Sequence, residues 1–308
     1  MHPGPDALSP TAHVWLVTGC SSGLGRMLVP AILARGDKVI ATARRLSDLD
    51  YIQGLEGAKA LQLDLTDSDE IHREKANEAI RAFGQVDVVV NNAGYVHSGV
   101  WEEVSHEDTL RQFDTNFFGA LKVTRSLLPH MRSRKSGVVL YMSSIAGWVG
   151  VGAGGPYSSS KFALEGAVEC LQKETSHLGI RTHLLVLGQF RTGILSTEKT
   201  VGQLRPSTIE DYDIVKQELA DRHAATNGLQ PGKPEAAVER ILDIVREENL
   251  TGAQRGNLPL RIPIGSDAVE VMKRKCVETL QVLEDWGEFA SSTDYAGKQA
   301  TSLKYGQS

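Results

Sequence analysis

Cysteine is scarce in this chain of 308 residues, and its three copies are Cys20, Cys170 and Cys276. An odd number of widely separated cysteines argues against a disulfide framework and favours a reducing compartment. The nine histidines form neither a His-x-x-x-His motif nor a cluster with cysteine. The ligand spacing typical of zinc sites is therefore missing, and we expect no metal in this protein.

Long hydrophobic runs and an excess of basic residues are also missing. No apolar run reaches the length of about 18 residues that a membrane-spanning helix needs. A net charge of -5 and a pI of about 6.0 give no basic surface for nucleic acid or anionic lipid. Residues 1–12 contain three prolines but no signal-peptide pattern, which predicts a flexible tail. We expect a soluble, cytoplasmic protein.

A glycine-rich turn follows the first predicted strand. Val14–Val17 is a short apolar run, residues 18–25 contain three glycines, and an amphipathic segment continues to Ala34. Glycines allow a close approach to a diphosphate, which binds the N–H groups at a helix N-terminus. A plain surface loop is the alternative, but the flanking strand and helix favour a dinucleotide site. The predicted cofactor contacts in this turn are Gly19, Ser21, Ser22, Gly23, Leu24 and Gly25.

The end of the second predicted strand, Lys38–Ala43, indicates which cofactor to expect. An acidic side chain at this place would bind the ribose 2′-hydroxyl of NAD. Ala43 occupies the position instead, and Arg44 and Arg45 follow it. Because a guanidinium binds a 2′-phosphate, often through two hydrogen bonds, the sequence predicts NADP(H) with Arg44 as the leading ligand. Two solvated surface arginines are the alternative.

Two further predicted strands end in polar or small residues. The third, Ala60–Leu65, has Asp64 near its end, where a carboxylate can accept a hydrogen bond from an adenine amino group; a turn-forming aspartate is the alternative. The fourth, Val86–Val90, is continuously apolar, as expected of a parallel strand buried on both faces. The cofactor contacts predicted at these two ends are Asp64, Leu65, Asn91, Ala93 and Gly94.

Tyr157 and Lys161 lie four residues apart at the start of a predicted helix over 158–178. Four residues are about one helical turn, so both side chains leave the same face. A neighbouring ammonium stabilises a phenolate, and we therefore expect Lys161 to lower the pKa of Tyr157 from about 10. The phenol could then act as an acid/base group. For an isolated pair of this kind, an ordinary solvated helix face is the common alternative.

Strands and helices alternate along most of the chain, which predicts a single α/β domain over residues 13–286. We expect a Rossmann-type, doubly wound parallel sheet of about seven strands with helices on both faces. A long helix is predicted over 107–132, and strands over 137–142 and 180–187. Such sheets bind ligands outside the carboxyl ends of their strands. The motifs that follow predicted strands are residues 18–25, Arg44, Asp64, residues 91–94, Ser144 and residues 188–192.

Beyond residue 193 the composition becomes polar and loop-like. Residues 194–230 follow the last loop of the crevice, and we expect them to form a lid with weak helical character over 207–225. Helices are predicted over 235–248 and 266–283, with an edge strand over 258–262, where proline is tolerated. The polar composition of 287–308 predicts a disordered tail.

Five motifs, in this order and spacing, resemble the short-chain dehydrogenases/reductases: the turn at 18–25, residues 91–94, Asn116, Ser144 and the Tyr157/Lys161 pair. The resemblance is strong over residues 14–193 and looser to about 283. It implies a Rossmann-type sheet and NAD(P)-dependent interconversion of carbonyl and alcohol groups. The turn and the sequence around Arg44 look like those of NADP-linked members acting on steroids, retinoids and fungal aromatic metabolites. Leu187-Gly188 stands where the family has Pro-Gly.

The resemblance also implies a role for each catalytic residue. Tyr157 is the general acid in reduction and the general base in oxidation. Lys161 lowers the pKa of that phenol and binds the nicotinamide ribose. Ser144 holds the substrate oxygen, and Asn116 anchors a water in the proton relay.

The same resemblance places the nicotinamide carboxamide on Thr192 and the backbone of Phe190. His97, Trp148 and the lid suggest a roomy apolar pocket, although Trp148 could equally be packed in the core. We therefore expect an NADPH-dependent reductase of a bulky hydrophobic ketone or aldehyde.

A non-catalytic NADP-binding sensor or scaffold on the same fold is the alternative function. The complete set of Asn116, Ser144, Tyr157 and Lys161 argues against it, because a binding module needs no buried acid/base pair. Helices over 108–132 and 157–178 could pair across a two-fold axis, as in many relatives. A homodimer or homotetramer is therefore expected.

Overall fold

A computed structural model describes residues 12–192, 200–201, 209–226 and 228–295, in which there are nine strands and eight α-helices. The strands are β1 Val14–Val17, β2 Lys38–Ala43, β3 Ala58–Gln62, β4 Val88–Asn91, β5 Val96–His97, β6 Gly137–Ser144, β7 Ile180–Leu187, β8 Thr200–Val201 and β9 Arg261–Ile264. The helices are α1 Gly23–Ala34, α2 Asp69–Phe83, α3 His106–Phe113, α4 Ala120–Arg134, α5 Gly155–Thr175, α6 Asp213–Thr226, α7 Pro234–Arg246 and α8 Ser266–Ser291. Within these described ranges, no helix combines the length and the apolar character that crossing a membrane requires.

Seven of the strands form one parallel sheet in the order β3–β2–β1–β4–β6–β7–β9. The neighbours β1 and β4 are buried at every residue. From this pair the sheet continues through β2 and β3 on one side, and through β6, β7 and β9 on the other. The predicted doubly wound parallel sheet of about seven strands is confirmed. The topology brings the loops after β1, β2, β4, β6 and β7 to one edge.

Helices cover both faces of the sheet and enclose two apolar cores. On one face α1 packs against α7, and Leu28 and Ile241 are fully buried there. On the other face α2, α4 and α5 contribute residues such as Leu127 and Leu164. Burying one such side chain stabilises the fold by about 1.5–3 kcal/mol. The packed layers hold the strands in place, so the loops at their carboxyl ends keep a fixed spacing.

A turn of π-helix over Asp114–Gly119 joins α3 to α4, so the single helix predicted over 107–132 is interrupted. Asn116 lies in this turn and is 2% exposed. π turns are rare and frequently occur at functional sites. The wider turn changes the spacing of apolar residues only locally, which is why the sequence pattern predicted one continuous helix.

Four strands, β3, β4, β6 and β9, differ from their predicted bounds, and β3 and β9 show how a strand depends on its ladder partner. β3 ends at Gln62 because the neighbouring β2, with which it pairs, ends at Ala43. Asp64 and Leu65 therefore follow the strand instead of belonging to it. The edge strand β9 begins at Arg261, three residues later than expected, where its ladder with β7 begins.

The last helix is longer than predicted. α8 continues to Ser291, past the expected end at 283 and into the predicted tail 287–308. Gly287 costs only about 1 kcal/mol in a helix, and Trp286 and Phe289 make an edge-to-face contact across it. In the predicted lid, α6 covers most of the expected helical part. The remaining predictions for residues 1–11, 193–199, 202–208, 227 and 296–308 lie outside the described residues.

Candidate active site

The glycine turn between β1 and α1 has the shape that a bound dinucleotide requires. Gly19 and Gly23 have φ angles of 71° and 57°, in the left-handed region that favours glycine. A Cβ atom at Gly25 would overlap the Gly19 carbonyl and the side-chain amide of Asn92. Among the described residues the buried hydroxyl of Ser22, the residue before α1, has no hydrogen-bond partner. This polar atom and the N–H groups of the first turn of α1 suit an anionic ligand.

Thr18 connects this turn to the loop after β4, a role that sequence reasoning missed. Its hydroxyl donates to the carbonyl of Val90 at 3.3 Å and accepts the N–H groups of Asn92 and Ala93 at 2.9 and 3.0 Å. The amide of Asn92 donates to the Thr18 carbonyl at 2.8 Å. A polar β-branched residue directly between a strand and a glycine was the only signal in the sequence. The two predicted cofactor loops are thus held together.

The two arginines after β2 differ in their surroundings. Arg45 pairs with Asp48, with an Nη2–Oδ1 distance of 3.0 Å. Arg44 is exposed, and among the described parts of the chain it has no ion-pair partner. Its guanidinium is therefore available to a phosphate at the end of β2, as the sequence predicted.

Three of the predicted cofactor contacts use their side chains within the fold. Oδ1 of Asp64 accepts the N–H and the hydroxyl of Thr66 at 3.0 and 2.8 Å, so the turn-forming alternative applies to that oxygen. Leu65 is buried. The amide of Asn91 donates to the hydroxyl of Thr124 at 3.0 Å inside the protein. Among the described residues, only Oδ1 of Asp64 accepts these bonds, so its Oδ2 is the side-chain group that a ligand could still use.

Asn116 fixes the loop after β4 to the π turn. Its Oδ1 accepts the N–H of Tyr95 at 3.1 Å, and its Nδ2 donates to the Tyr95 carbonyl at 3.0 Å. A Cβ at Gly94 would lie 3.2 Å from Oδ1 of Asn116, so glycine allows this close packing. The amide retains one N–H and one lone pair for a further partner.

Tyr157 lies in the first turn of α5, and the hydroxyl of Ser144 at the end of β6 lies near enough to its phenol to lower the pKa of Tyr157. Pro156 precedes it in the same turn, where a helix does not need the missing N–H. The Ser144 hydroxyl accepts the N–H of Ala146 at 3.1 Å. The strand end and the helix start therefore bring the predicted substrate-oxygen ligand and the predicted acid/base group close together.

The expected lowering of the tyrosine pKa is wrong for this structure. Burial of the phenol raises the pKa of Tyr157 above its usual value, and the nearby hydroxyl of Ser144 only partly opposes this rise. The Nζ atom of Lys161 lies 5.7 Å from the centre of the Tyr157 ring. It donates instead to the Met142 carbonyl at 2.7 Å. Burial of the phenol therefore sets the direction of the shift.

Lys161 is buried beside the carboxylate of Glu165, a residue that the sequence analysis had not singled out. Burial lowers the pKa of Lys161 to about 8, and the charge of Glu165, one turn further along α5, opposes this shift. Glu165 is 5% exposed and accepts hydrogen bonds from the Ser143 hydroxyl and from Nε of Arg261, the latter at 2.7 Å. The i, i+4 spacing from Lys161 was the only sequence signal for this residue.

The loop after β7 is held by the first turn of α8. The carboxylate of Asp267 accepts the N–H of Gln189 at 2.7 Å. A Cβ at Gly188 would overlap that same carboxylate. The glycine of the Leu187-Gly188 pair is therefore required here, whereas Leu187 takes part in the β7 ladder, with Ile264 as its partner in β9.

The residues predicted to bind the carboxamide, Phe190 and Thr192, follow Gln189 in the loop after β7. Phe190 is almost fully buried against Gly232, and the N–H of Thr192 donates to its carbonyl at 2.7 Å. Thr192 is partly exposed and is the last residue described before 200.

The two predicted substrate contacts differ in exposure. Trp148 is partly exposed, and within the described ranges its buried indole N–H has no hydrogen-bond partner. His97 is 3% exposed in β5, so its side chain lies mostly inside the protein. A surface depression of about 540 Å³ lies nearby between Trp101 and Phe162. None of the four predicted catalytic residues lines it, because Phe162 is on another side of α5 from Tyr157.

Comparison with known proteins agrees with this architecture. The model of the short chain dehydrogenase family matches residues 13–201. The chain therefore belongs to the short-chain dehydrogenase/reductase family of oxidoreductases.

Individual relatives cover nearly the whole chain. A short-chain dehydrogenase structure from Streptomyces avermitilis is 33% identical, covers 93% of this chain and 100% of its own, and has a TM-score of 0.81. The 3-ketodihydrosphingosine reductase of Bacteroides thetaiotaomicron is 31% identical over 82% of this chain and 88% of its own. A short-chain dehydrogenase of Burkholderia cenocepacia in complex with NADP is 20% identical, covers 91% of this chain and 96% of its own, and has a TM-score of 0.63; at that identity it shares the fold.

The crevice residues fit a nicotinamide dinucleotide. The glycine turn has no room for side chains at Gly19 and Gly25. The Ser22 hydroxyl is buried and has no hydrogen-bond partner among the described residues. Arg44 is exposed at the end of β2, where it can bind a phosphate. Over the part of the chain that the structure describes, no three metal-ligating side chains are grouped.

Proposed function

We propose that this protein is an NADPH-dependent oxidoreductase that interconverts a ketone or aldehyde and the corresponding alcohol. The observation that carries the proposal is the proximity of the Tyr157 phenol to the Ser144 hydroxyl at the carboxyl end of β6, with Lys161 on the next helical turn. NADPH supplies the hydride when it is bound. The chain's own residues position the carbonyl and move the proton.

Tyr157 is the proton donor in reduction. Its raised pKa keeps the phenol protonated at neutral pH, so it can transfer that proton to the substrate oxygen as negative charge develops there. The hydroxyl of Ser144 donates a second hydrogen bond to the same oxygen and stabilises the charge. In the oxidation direction the proton returns to Tyr157.

Lys161 and Asn116 support the proton transfer. With a pKa of about 8, Lys161 is mostly protonated at pH 7, and its positive charge stabilises the phenolate that remains after the transfer. The same ammonium would bind the nicotinamide ribose hydroxyls. The remaining N–H and lone pair of the Asn116 amide would bind a water through which Tyr157 regains a proton from solvent.

The cofactor would lie along the edge where the strands end. The residues around the diphosphate would be Gly19, Ser21, Ser22, Gly23, Leu24 and Gly25. Arg44 would bind the 2′-phosphate that distinguishes NADP from NAD. Asp64 and Leu65 would contact the adenine, and the carboxamide would bind Thr192 and the Phe190 backbone. The backbone at Asn91, Ala93 and Gly94 would pass close to the nicotinamide ribose.

The substrate is a bulky hydrophobic carbonyl compound. Trp148 offers an apolar ring and one unpaired indole N–H, which would bind a polar atom of the substrate away from the reacting carbonyl. His97 would contribute to the pocket through its position in β5 beside β8, at the start of the lid region. The relative that reduces 3-ketodihydrosphingosine, a long-chain ketone by its name, supports this substrate class.

The decisive experiment is NADPH oxidation against a panel of steroid, retinoid, aromatic and long-chain ketones. We expect turnover with at least one bulky ketone and a loss of about 100-fold or more in Tyr157→Phe, the usual range for a general acid. Tyr295→Phe is the matched control, because Tyr295 follows α8 and is 84% exposed. If the wild type and Tyr157→Phe bind NADPH tightly and are equally inactive, the sensor or scaffold function replaces our proposal.

We also propose a two-fold pairing through α4 and α5, giving a dimer or a dimer of dimers. Phe118 and Phe162, from the π turn and α5, leave 44% and 45% of their surface exposed. Apolar exposure of this kind on neighbouring elements suits a symmetric interface.

A further inference from the structure

The long last helix has an apolar stripe that the rest of the described chain leaves uncovered. Its members recur every three or four residues, so they lie along one side of the helix. The stripe consists of Val269, Met272, Cys276, Leu280, Leu283 and Trp286. Leu280, Leu283 and Trp286 keep 60%, 63% and 59% of their surface exposed. Isolated exposed leucines are ordinary, but a continuous stripe indicates an interaction surface.

Only the start of α8 is anchored to the domain. Asp267 holds the loop at Gln189, and Ala268 is fully buried, whereas almost every residue from 273 onward is exposed. The 26 residues of α8 are about 39 Å long. Most of this length therefore extends beyond the body of the protein and presents the stripe.

The charges of α8 differ between its two halves. The first half carries the consecutive Lys273, Arg274 and Lys275 together with three acidic residues, whereas the second half carries only acidic residues, Glu284, Asp285 and Glu288. A second α8 running antiparallel would place the three basic residues of each helix beside the acidic half of the other. A parallel arrangement would bring like charges together.

We propose that the stripe of α8 packs antiparallel against α8 of a second copy of this chain. The centre of the pair lies near Leu280, so that Cys276 of one copy faces Leu283 of the other and the contact is symmetric. On one flank of the stripe Lys273 and Glu284 project to the same side of the helix. The two-fold symmetry then brings Lys273 of each copy near Glu284 of the other. This surface is separate from the pairing of α4 and α5.

Two other occupants agree less well with the composition of α8. An anionic lipid surface would be repelled, because the helix carries six acidic and three basic side chains. The chain's own last residues, 296–308, include only Leu303 and Tyr305 as large apolar residues, which is too little to cover six stripe positions. A second copy supplies a stripe of equal length and the complementary charge pattern.

The test is a charge exchange between two single variants of the full chain. Lys273→Glu puts acidic side chains at both flanking positions, and Glu284→Lys puts basic ones there. Each variant alone should raise the dissociation constant of the α8 pairing about tenfold. An equimolar mixture of the two, and the double variant Lys273→Glu/Glu284→Lys, should restore the wild-type value. Sedimentation velocity over a dilution series measures all four.

A second variant removes the apolar contact. Leu283→Asp should halve the assembled mass measured by light scattering, either from tetramer to dimer or from dimer to monomer. Gln281→Glu adds a charge on the opposite side of α8 and should leave the mass unchanged. Because both positions are exposed, the melting temperature should not move. An unchanged mass in Leu283→Asp, a monomeric wild type, or a mixture of the charge variants no tighter than either alone would each overturn the proposal.

Discussion

The ammonium nitrogen of Lys161 lies 5.7 Å from the centre of the Tyr157 ring, and it donates its hydrogen bond to the Met142 carbonyl instead of to the phenol. In the proposed mechanism the lysine therefore acts on the tyrosine through its charge. That charge depends in turn on Glu165, whose carboxylate opposes the effect of burial on the pKa of Lys161.

This arrangement predicts the pH dependence of reduction. Lys161 is charged below its pKa of about 8 and neutral above it, so kcat/KM with NADPH should fall as the pH rises through about 8. Glu165→Gln removes the charge that raises this pKa, so the basic limb should move to lower pH. Glu169→Gln is the control, because Glu169 also accepts from Arg261 but lies one turn further from Lys161. Identical pH profiles for the two variants would contradict the role of Glu165.

Arg44 should determine the preference for NADPH over NADH. A charge-assisted hydrogen bond to a phosphate is worth about 1.5–3 kcal/mol, so Arg44→Ala should raise the dissociation constant of NADPH by about 10-fold to 100-fold and leave that of NADH almost unchanged. Arg45→Ala removes the neighbouring arginine, which is paired with Asp48, and should affect both cofactors little. Fluorescence titration measures the constants. Equal effects of Arg44→Ala on both cofactors would remove the argument for the 2′-phosphate.

Thr18 should be necessary for the shape of the cofactor crevice. Thr18→Val keeps the side-chain volume but leaves the N–H groups of Asn92 and Ala93 without their acceptor. We expect a loss of about 2–4 kcal/mol in the free energy of unfolding and weaker NADPH binding, measured by urea denaturation and titration. Thr18→Ser keeps the hydroxyl and should retain most of both. A fully stable Thr18→Val would show that these hydrogen bonds contribute little.

Gly188 and Asp267 should be coupled. Gly188→Ala places a methyl group against the Asp267 carboxylate, and an overlap of this kind typically costs about 1–3 kcal/mol. In the double variant Gly188→Ala/Asp267→Ala the overlap is gone, so the alanine at 188 should cost much less there. A double-mutant cycle of unfolding free energies measures this difference. Gly166→Ala, at an open position in α5, is the control and should be neutral or slightly stabilising.

The sequence was sufficient for the fold and for the place of the site because both follow from local patterns. The buried run before Asn91 and the glycines at 19 and 25 have a meaning that does not depend on distant residues. The spacing of Ser144 and Tyr157 in the sequence likewise predicted that the two side chains lie near each other. These features predicted a parallel sheet with its crevice at the strand ends.

Features that depend on distant contacts could not be predicted in the same way. The direction of the Tyr157 pKa shift depends on how deeply packing buries the phenol, which no local pattern reveals. The loop at Gln189 is held by a hydrogen bond to Asp267, 78 residues further along the chain. The end of β3 depends on the length of β2, and the turn at Asp64 competes with the ligand contact predicted there.

The π turn at Asp114–Gly119 makes the position of Asn116 depend on chain length as well as on residue identity. Removing one residue from this segment would allow a regular α-helix to form and would rotate α3 by about 100° relative to α4. Asn116 could then no longer reach both backbone groups of Tyr95. A homologue with one residue fewer in this segment would keep every motif in its alignment and still lack the anchor for the loop after β4.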